Sequence, residues 1–174
     1  MCWDLINETF TSIGTVGAVV VGMFAINRAN KNNREQILTN KLEELLESIT
    51  VSGKYFGILK NLYNDIENYR NQEKIKTLLE YYEIRDAKFP KEEREKLFDK
   101  LSRIEILAKC YTNSNLKKEI LEYEDMMYSF TDLVSMGGSI PQQIKWKNGL
   151  PSYEEFTIIL RNIEKKIMVK ITVK

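Results

Sequence analysis

The side chain that most enzymes rely on near neutral pH is missing from this chain, which contains no histidine. Only histidine has an unperturbed pKa that places its charge change between about pH 5 and 8. Serine-histidine and cysteine-histidine nucleophilic systems are therefore excluded, and metal-assisted hydrolysis would have to rest on carboxylates alone. Acidic residues at helical spacing do occur, Glu43 with Glu47 and Glu119 with Glu122, but lysines alternate with them in the manner of a solvated helix face. There is neither a phosphate-cradling glycine loop followed by lysine nor a dinucleotide fingerprint. Cys2 and Cys110 are isolated, so they form neither a zinc spacing nor a disulfide framework, and a reducing cytoplasm fits them. The sequence thus leads to the expectation of no catalytic residue, no metal and no cofactor.

A different kind of chemistry is offered near the N-terminus. Gly14, Ala18 and Gly22 recur at every fourth position and form a small-residue stripe on a helix, with Thr11 and Thr15 on the same side. In lipid, where the hydrophobic effect does not pull helices together, such stripes let backbones approach closely, and hydroxyls can bond across helices or face a wet lumen. These residues are therefore candidates for pore lining or helix packing. The stripe lies inside the run Thr9 to Asn27, which has no ionisable side chain between Glu8 and Arg28. As an α-helix the run extends roughly 28 Å at 1.5 Å per residue, close to a hydrocarbon core of about 30 Å. Ile13, Val16, Val19, Val20, Val21, Met23, Phe24 and Ile26 surround the helical wheel, unlike the single apolar face of a soluble amphipathic helix. The leading MCWDLINE carries Asp4 and Glu8 and no basic residue, unlike the start of an export signal, so cleavage is not expected. Arg28, Lys31 and Arg34 follow the run before any acid, which by the positive-inside rule places the C-terminal side in the cytoplasm. The expected organisation is a short outer tail (1–8), one transmembrane helix (9–27), a juxtamembrane helix (28–52) and a cytosolic helical domain (53–174).

The rest of the chain must position whatever acts beyond the membrane, and its composition is that of a helical globule: 174 residues, 43% hydrophobic, with three prolines and eight glycines. A net charge of +1 gives no global attraction to nucleic acid or acidic lipid. Leu38, Leu42, Leu45 and Ile49 draw an apolar seam. Tyr55, Ile58, Leu59, Leu62, Ile66 and Tyr69 draw another beyond Gly53, continued by Ile75, Leu78, Leu79 and Tyr82 after a polar break, so this region holds two helices or one kinked helix. Pro90 suits a helix first position, with Leu97, Leu101, Ile104, Ala108 and Tyr111 facing inward and capping residues at Thr112 to Asn115. The next helix runs from Leu116 through Phe130 and stops near Gly137 and Gly138, followed by one long loop rich in glycine and proline. Ser152 and Glu155 form a capping box for the last helix, carried by Phe156, Ile159, Leu160, Ile163 and Ile167. The closing MVKITVK alternates like a strand but has no partner strand, so it reads as a helix end or a docked tail. The fold class is all-α.

That last helix contains Arg161, Asn162, Ile163, Glu164, Lys165 and Lys166. The segment resembles the arginine-plus-asparagine opening of the motif that all-helical HEPN ribonucleases carry on a late helix, where a histidine follows a few residues later. Lys165, Lys166 and Ile167 stand at the place of that histidine, so the motif is divergent and the chain is not expected to be an enzyme. Together with the N-terminal span and the chain length, the segment resembles the small membrane accessory proteins of type VI-B CRISPR systems. The resemblance covers the whole chain as architecture but only Arg161 and Asn162 as motif. It implies a divergent HEPN-like cytosolic domain, a ring-shaped homo-oligomer in the bacterial inner membrane, and a pore that strengthens antiviral defence by an RNA-guided RNA-cleaving effector. Because the backbone fills the axis of a single helix, any channel requires several copies. Two other readings stand beside it. One is a membrane-tethered RNA-binding or RNA-processing protein, for which Lys145, Trp146, Lys147, Lys165, Lys166, Lys170 and Lys174 offer lysines and an aromatic suited to single strands or to an acidic leaflet. The other is a passive membrane scaffold.

Overall fold

The computed structural model describes residues 2–71, 74–138 and 150–172, with side chains from Met23 onward. The elements are α1 (Cys2–Gly53), α2 (Phe56–Arg70), α3 (Leu78–Lys88), α4 (Lys91–Tyr111), α5 (Ser114–Ser135) and α6 (Tyr153–Thr172), and no strand occurs among the described residues. The all-α expectation therefore holds, and MVKITVK continues as helix as far as Thr172. The chain divides into two compact units, residues 1–40 and 41–174.

In the first unit α1 has no internal helix breaker of the proline type, and Met23, Phe24 and Ile26 are 62%, 72% and 62% exposed. Among the described residues no helix is long and apolar enough to cross a membrane. Most of the run expected to do so, residues 9–22, lies outside the described side chains, and with it Thr11, Gly14, Thr15, Ala18 and Gly22. Leu38 is exposed, so the seam it was expected to open is buried only at Leu42, Leu45 and Ile49.

The second unit begins at Lys41, so the last turns of α1 contribute Leu42, Leu45 and Ile49 to the core of the bundle. Helix α5 is the central element. It packs against α2, α4 and α6 and buries Leu116, Ile120, Tyr123, Met126, Met127, Phe130, Leu133 and Val134. Around it lie Leu59, Leu62 and Ile66 of α2, Leu97, Leu101, Ile104 and Leu107 of α4, and Phe156, Ile163 and Ile167 of α6. Each such side chain stabilises the fold by about 1.5–3 kcal/mol through burial. Phe56 and Phe156 stack at 3.8 Å between ring centroids, joining α2 to α6.

The region holds two helices, Phe56–Arg70 and Leu78–Lys88, rather than one kinked helix. The Thr77 side chain caps α3 by accepting from the Glu80 N–H, and on this helix Tyr81 is buried while Leu79 is 69% exposed. Leu79 is thus a correction to the expected seam. The Tyr81 hydroxyl donates to the Val134 carbonyl at 2.6 Å, satisfying the one polar group that this side chain brings inside. Pro90 precedes α4 with ψ 157°, an extended value, and so serves as the residue before the first helical position instead of occupying it. Helix α5 ends where expected: Gly137 and Gly138 adopt φ of 63°, and the Gly138 N–H closes onto the Leu133 carbonyl at 3.2 Å. Such left-handed closures favour glycine, whose missing Cβ removes the clash. The capping box at α6 is formed in both directions, with the Ser152 N–H donating to Glu155 at 2.7 Å and the Glu155 N–H donating to Ser152 Oγ at 3.2 Å.

Candidate functional site

Antiparallel packing decides which residues share one end of the second unit. The Thr50 hydroxyl donates to Glu164 at 2.6 Å, and a Cβ on Gly53 would come within 2.8 Å of Leu160, so α6 runs opposite to the last turns of α1. Glu44 pairs with Arg103 at 2.5 Å and Glu47 with Lys100 at 3.6 Å, so α4 also runs opposite to α1. The last turns of α6, the end of α4 and the first turn of α5 consequently gather at the end where the chain enters the unit at Lys41.

There the first turn of α5 and the second half of α6 enclose a groove of about 600 Å³, lined by Asn113, Asn115, Leu116 and Glu119 on one wall and Asn162, Lys165, Lys166, Val169 and Lys170 on the other. Asn113 begins α5 with its side chain accepting from the Leu116 N–H at 3.3 Å. Asn162 and Lys166 are one helical turn apart and both face the groove, whereas Arg161, exposed, is not among its lining residues. The structure therefore divides the divergent motif, keeping Asn162 with Lys166 and sending Arg161 elsewhere. Lys166 donates to both oxygens of Glu119, at 2.6 and 2.5 Å. Lys165 and Lys170 have no carboxylate partner among the described residues. The lining holds no serine, threonine, cysteine or tyrosine. It can attract and orient an anion, but it offers no nucleophile.

Outside the groove the polar clusters are structural. Tyr123, fully buried, shares a hydrogen bond with Ser52 Oγ at 2.9 Å and donates to the Ile49 carbonyl at 3.3 Å, tying α1 to α5. Burial pushes its phenol well above the ordinary tyrosine range. The Tyr55 phenol donates to Glu93 at 2.5 Å, and desolvation together with that carboxylate raises its pKa to about 12. Asp86 is held below the usual carboxylate range by hydrogen bonds from Arg94 and Arg85, which outweigh the opposing effect of burial. Hydrogen bonds from Lys41 and Arg103 hold Glu44 low. Glu43 and Glu47 are both exposed on α1, as on a solvated helix face, and Glu47 lies 3.6 Å from Lys100 of α4.

Arg28, Lys31 and Arg34, which the sequence leads one to expect beside a membrane, are all exposed on α1, where Lys31 lies 3.9 Å from Glu35. An exposed pair of this kind contributes roughly 0–1 kcal/mol. Cys110 is a free, exposed thiol. Among the described residues no group of histidine, cysteine, aspartate and glutamate side chains could hold a metal ion. Lys145, Trp146, Lys147 and Lys174 lie outside the described residues.

Sequence reasoning had singled out Asn162, Lys165, Lys166 and Lys170, but not the wall that faces them. Asn113 and Asn115 are visible in the sequence only as helix-capping residues, and nothing local connects them to a helix about fifty residues later. Compared with known proteins, the chain matches no family model, no curated protein and no solved structure.

Proposed function

We propose that this chain is a single-span protein of the bacterial inner membrane that assembles as a homo-oligomeric pore. The observation carrying the reading is α1 itself: one helix in which Met23, Phe24 and Ile26 stand exposed at the end of an uncharged apolar run, followed by Arg28, Lys31 and Arg34. Leaving such side chains in water forfeits about 1.5–3 kcal/mol each. Lipid covers them in the proposed assembly, with the Gly14, Ala18 and Gly22 stripe and the hydroxyls of Thr11 and Thr15 setting helix approach or lining the lumen. The helical unit from Lys41 onward lies in the cytoplasm and supplies contacts between copies. Its fold is divergent HEPN-like in this reading, and its resemblance to the type VI-B CRISPR accessory proteins makes an RNA-guided RNA-cleaving effector the functional partner. Permeabilising or depolarising the membrane of an infected cell then strengthens the defence. Ribonuclease activity forms no part of the proposal, because the motif has lysine where cleavage needs histidine.

Purification in mild detergent, followed by mass measurement and imaging, tests the reading. The expected result is a ring with a mass several times 20.4 kDa and dye leakage from liposomes that contain it. A monomer that stays soluble after carbonate washing and releases no dye would overturn it. Co-expression with the effector is expected to increase protection against phage.

A further inference from the structure

We propose that the end of the helical unit where the chain enters at Lys41 is an electrostatic contact surface for the anionic headgroups of a lipid leaflet, carried by Lys117, Lys118, Lys165 and Lys170. The choice of partner rests on the membrane reading above, whereas the gathering of these lysines does not.

The direction of each helix decides what it brings to this end. Helix α4 begins with Glu92 and Glu93 and ends with Lys109, and α6 begins with Glu154 and Glu155 and ends with Lys165, Lys166 and Lys170. Acids first and bases last stabilise a helix through its dipole, so the order in these two helices needs no further cause. Helix α5 runs the other way and breaks the pattern. Its first turn holds no acid, and Lys117 and Lys118 stand in and just after that turn, at the positive end of the dipole. Helix stability disfavours lysine there, yet antiparallel packing sets these two beside the last turns of α6. Lys109 and Lys166 are neutralised by Glu105 and Glu119, at 2.5 Å each. Lys117, Lys118, Lys165 and Lys170 form no ion pair among the described residues, and the last three are exposed. The chain's net charge of +1 thus conceals a polarised unit, basic at the end through which it is tethered to the apolar run of α1.

The side-chain types favour a leaflet over a nucleic acid. All four free cations are lysines, without the planar arginine fork that grips phosphate in two places. Val169, 50% exposed among them, is aliphatic and offers no platform on which a base could stack. Lysines gathered on the cytoplasmic side of a span are the usual arrangement for acidic lipid, each contributing roughly fivefold in affinity near the surface. Contact of this kind holds the unit against an anionic leaflet and releases it where the leaflet is neutral or salt is high.

Cys110, a free and exposed thiol at the end of α4, stands at this same end and supplies the probe. Full-length Cys2→Ser protein, labelled at Cys110 with a fluorescent donor, is reconstituted in vesicles of phosphatidylcholine alone or of phosphatidylcholine and phosphatidylglycerol in equal parts. Both carry a headgroup-labelled acceptor lipid. Energy transfer is expected to be higher with phosphatidylglycerol, and the excess should disappear as salt is raised. The triple variant Lys118→Gln/Lys165→Gln/Lys170→Gln should abolish the excess. Lys54→Gln/Lys91→Gln/Lys96→Gln, which removes the same charge from exposed positions elsewhere on the unit, should keep it. Circular dichroism of both variants is expected to match the parent, because every substituted side chain is exposed. Flotation after carbonate washing reports the membrane reading separately. If the chain does not stay with the vesicles, that reading fails, and the same labelled protein added to preformed vesicles tests the surface. Binding to the mixed vesicles should then exceed binding to phosphatidylcholine, with the first triple variant weakening it on the order of a hundredfold. Transfer or binding that ignores lipid composition, or an excess that survives in that variant, would overturn the proposal. Lysine-dependent binding of a short oligouridylate without any effect of lipid composition would overturn it too, by giving the surface to nucleic acid.

Discussion

Tyr55 and Glu93 show how a single contact between α4 and the turn before α2 acquires a pH window. The phenol donates to the carboxylate at 2.5 Å; desolvation and then that carboxylate raise the tyrosine to about 12, while Lys96 and then Tyr55 itself hold Glu93 below the ordinary carboxylate value. For the tyrosine, a folded pKa above the unfolded one means stability fully present below about pH 10 and lost as pH rises towards 12. For the glutamate, a depressed folded pKa means stability present above about pH 4.5 and lost as pH falls below it. Tyr55→Phe is therefore expected to lower the unfolding free energy by about 1 kcal/mol at pH 7. The gap should shrink both above pH 10 and below pH 4.5, as read from urea midpoints. A gap that stays constant from pH 3 to pH 11 would show that the hydrogen bond contributes nothing. Lys166 contrasts with it, because both partners of its ion pair are substantially exposed. Lys166→Ala should change stability by less than about 0.5 kcal/mol, and a larger loss in urea midpoints would show that the pair with Glu119 is worth more than an exposed ion pair.

Helix ends carry the clearest link between sequence and structure. Gly137 has φ of 63°, and a Cβ there would approach Leu78 Cδ1 at 2.8 Å and the Tyr81 ring at 3.0 Å. Gly137→Ala should therefore cost about 2 kcal/mol from the left-handed backbone and the clash, lowering the melting temperature by roughly 4–8 °C. An unchanged melting temperature would mean the turn relaxes freely. Ser152→Ala removes one direction of the capping box and should cost about 1 kcal/mol. Both features were legible in advance because they depend on residues within a few positions of one another: glycines past an apolar helix, and serine three residues before glutamate. The seams of α4, α5 and α6 were legible for the same reason, since a helical period is local. The phase of α3 was not, because tertiary packing decides which face of this short helix turns inward: Tyr81 is buried with its hydroxyl on the Val134 carbonyl, and Leu79 is left outside. The groove was only half legible. Its α6 wall lies in one basic stretch, but its other wall is brought to it by antiparallel packing, and Glu119 meets Lys166 across 47 positions of sequence.

At the scale of the whole molecule, the proposed pore makes a demand on α1 that a buried or merely tethering helix would not. A span has to tolerate lipid on its outer face, so a charge placed near its middle, as in Val19→Arg, costs about 2.5–3.5 kcal/mol for insertion. That variant should shift much of the protein out of the membrane fraction. Changes on the small-residue stripe act differently. Leucine at Gly14, Ala18 or Gly22 keeps the run apolar, so insertion is retained, but the added side chain holds neighbouring helices apart where close approach is required. The stripe variants are therefore expected to remain in membranes while losing the ring mass in detergent and the depolarisation of cells. Val19→Arg, by contrast, should lose its place in the membrane fraction as well, because much of it fails to insert. If the stripe variants assembled and depolarised like the parent, Gly14, Ala18 and Gly22 would have no part in the contact between copies, and the exposed apolar residues of α6, Ile158 and Met168, would become the surface to test next.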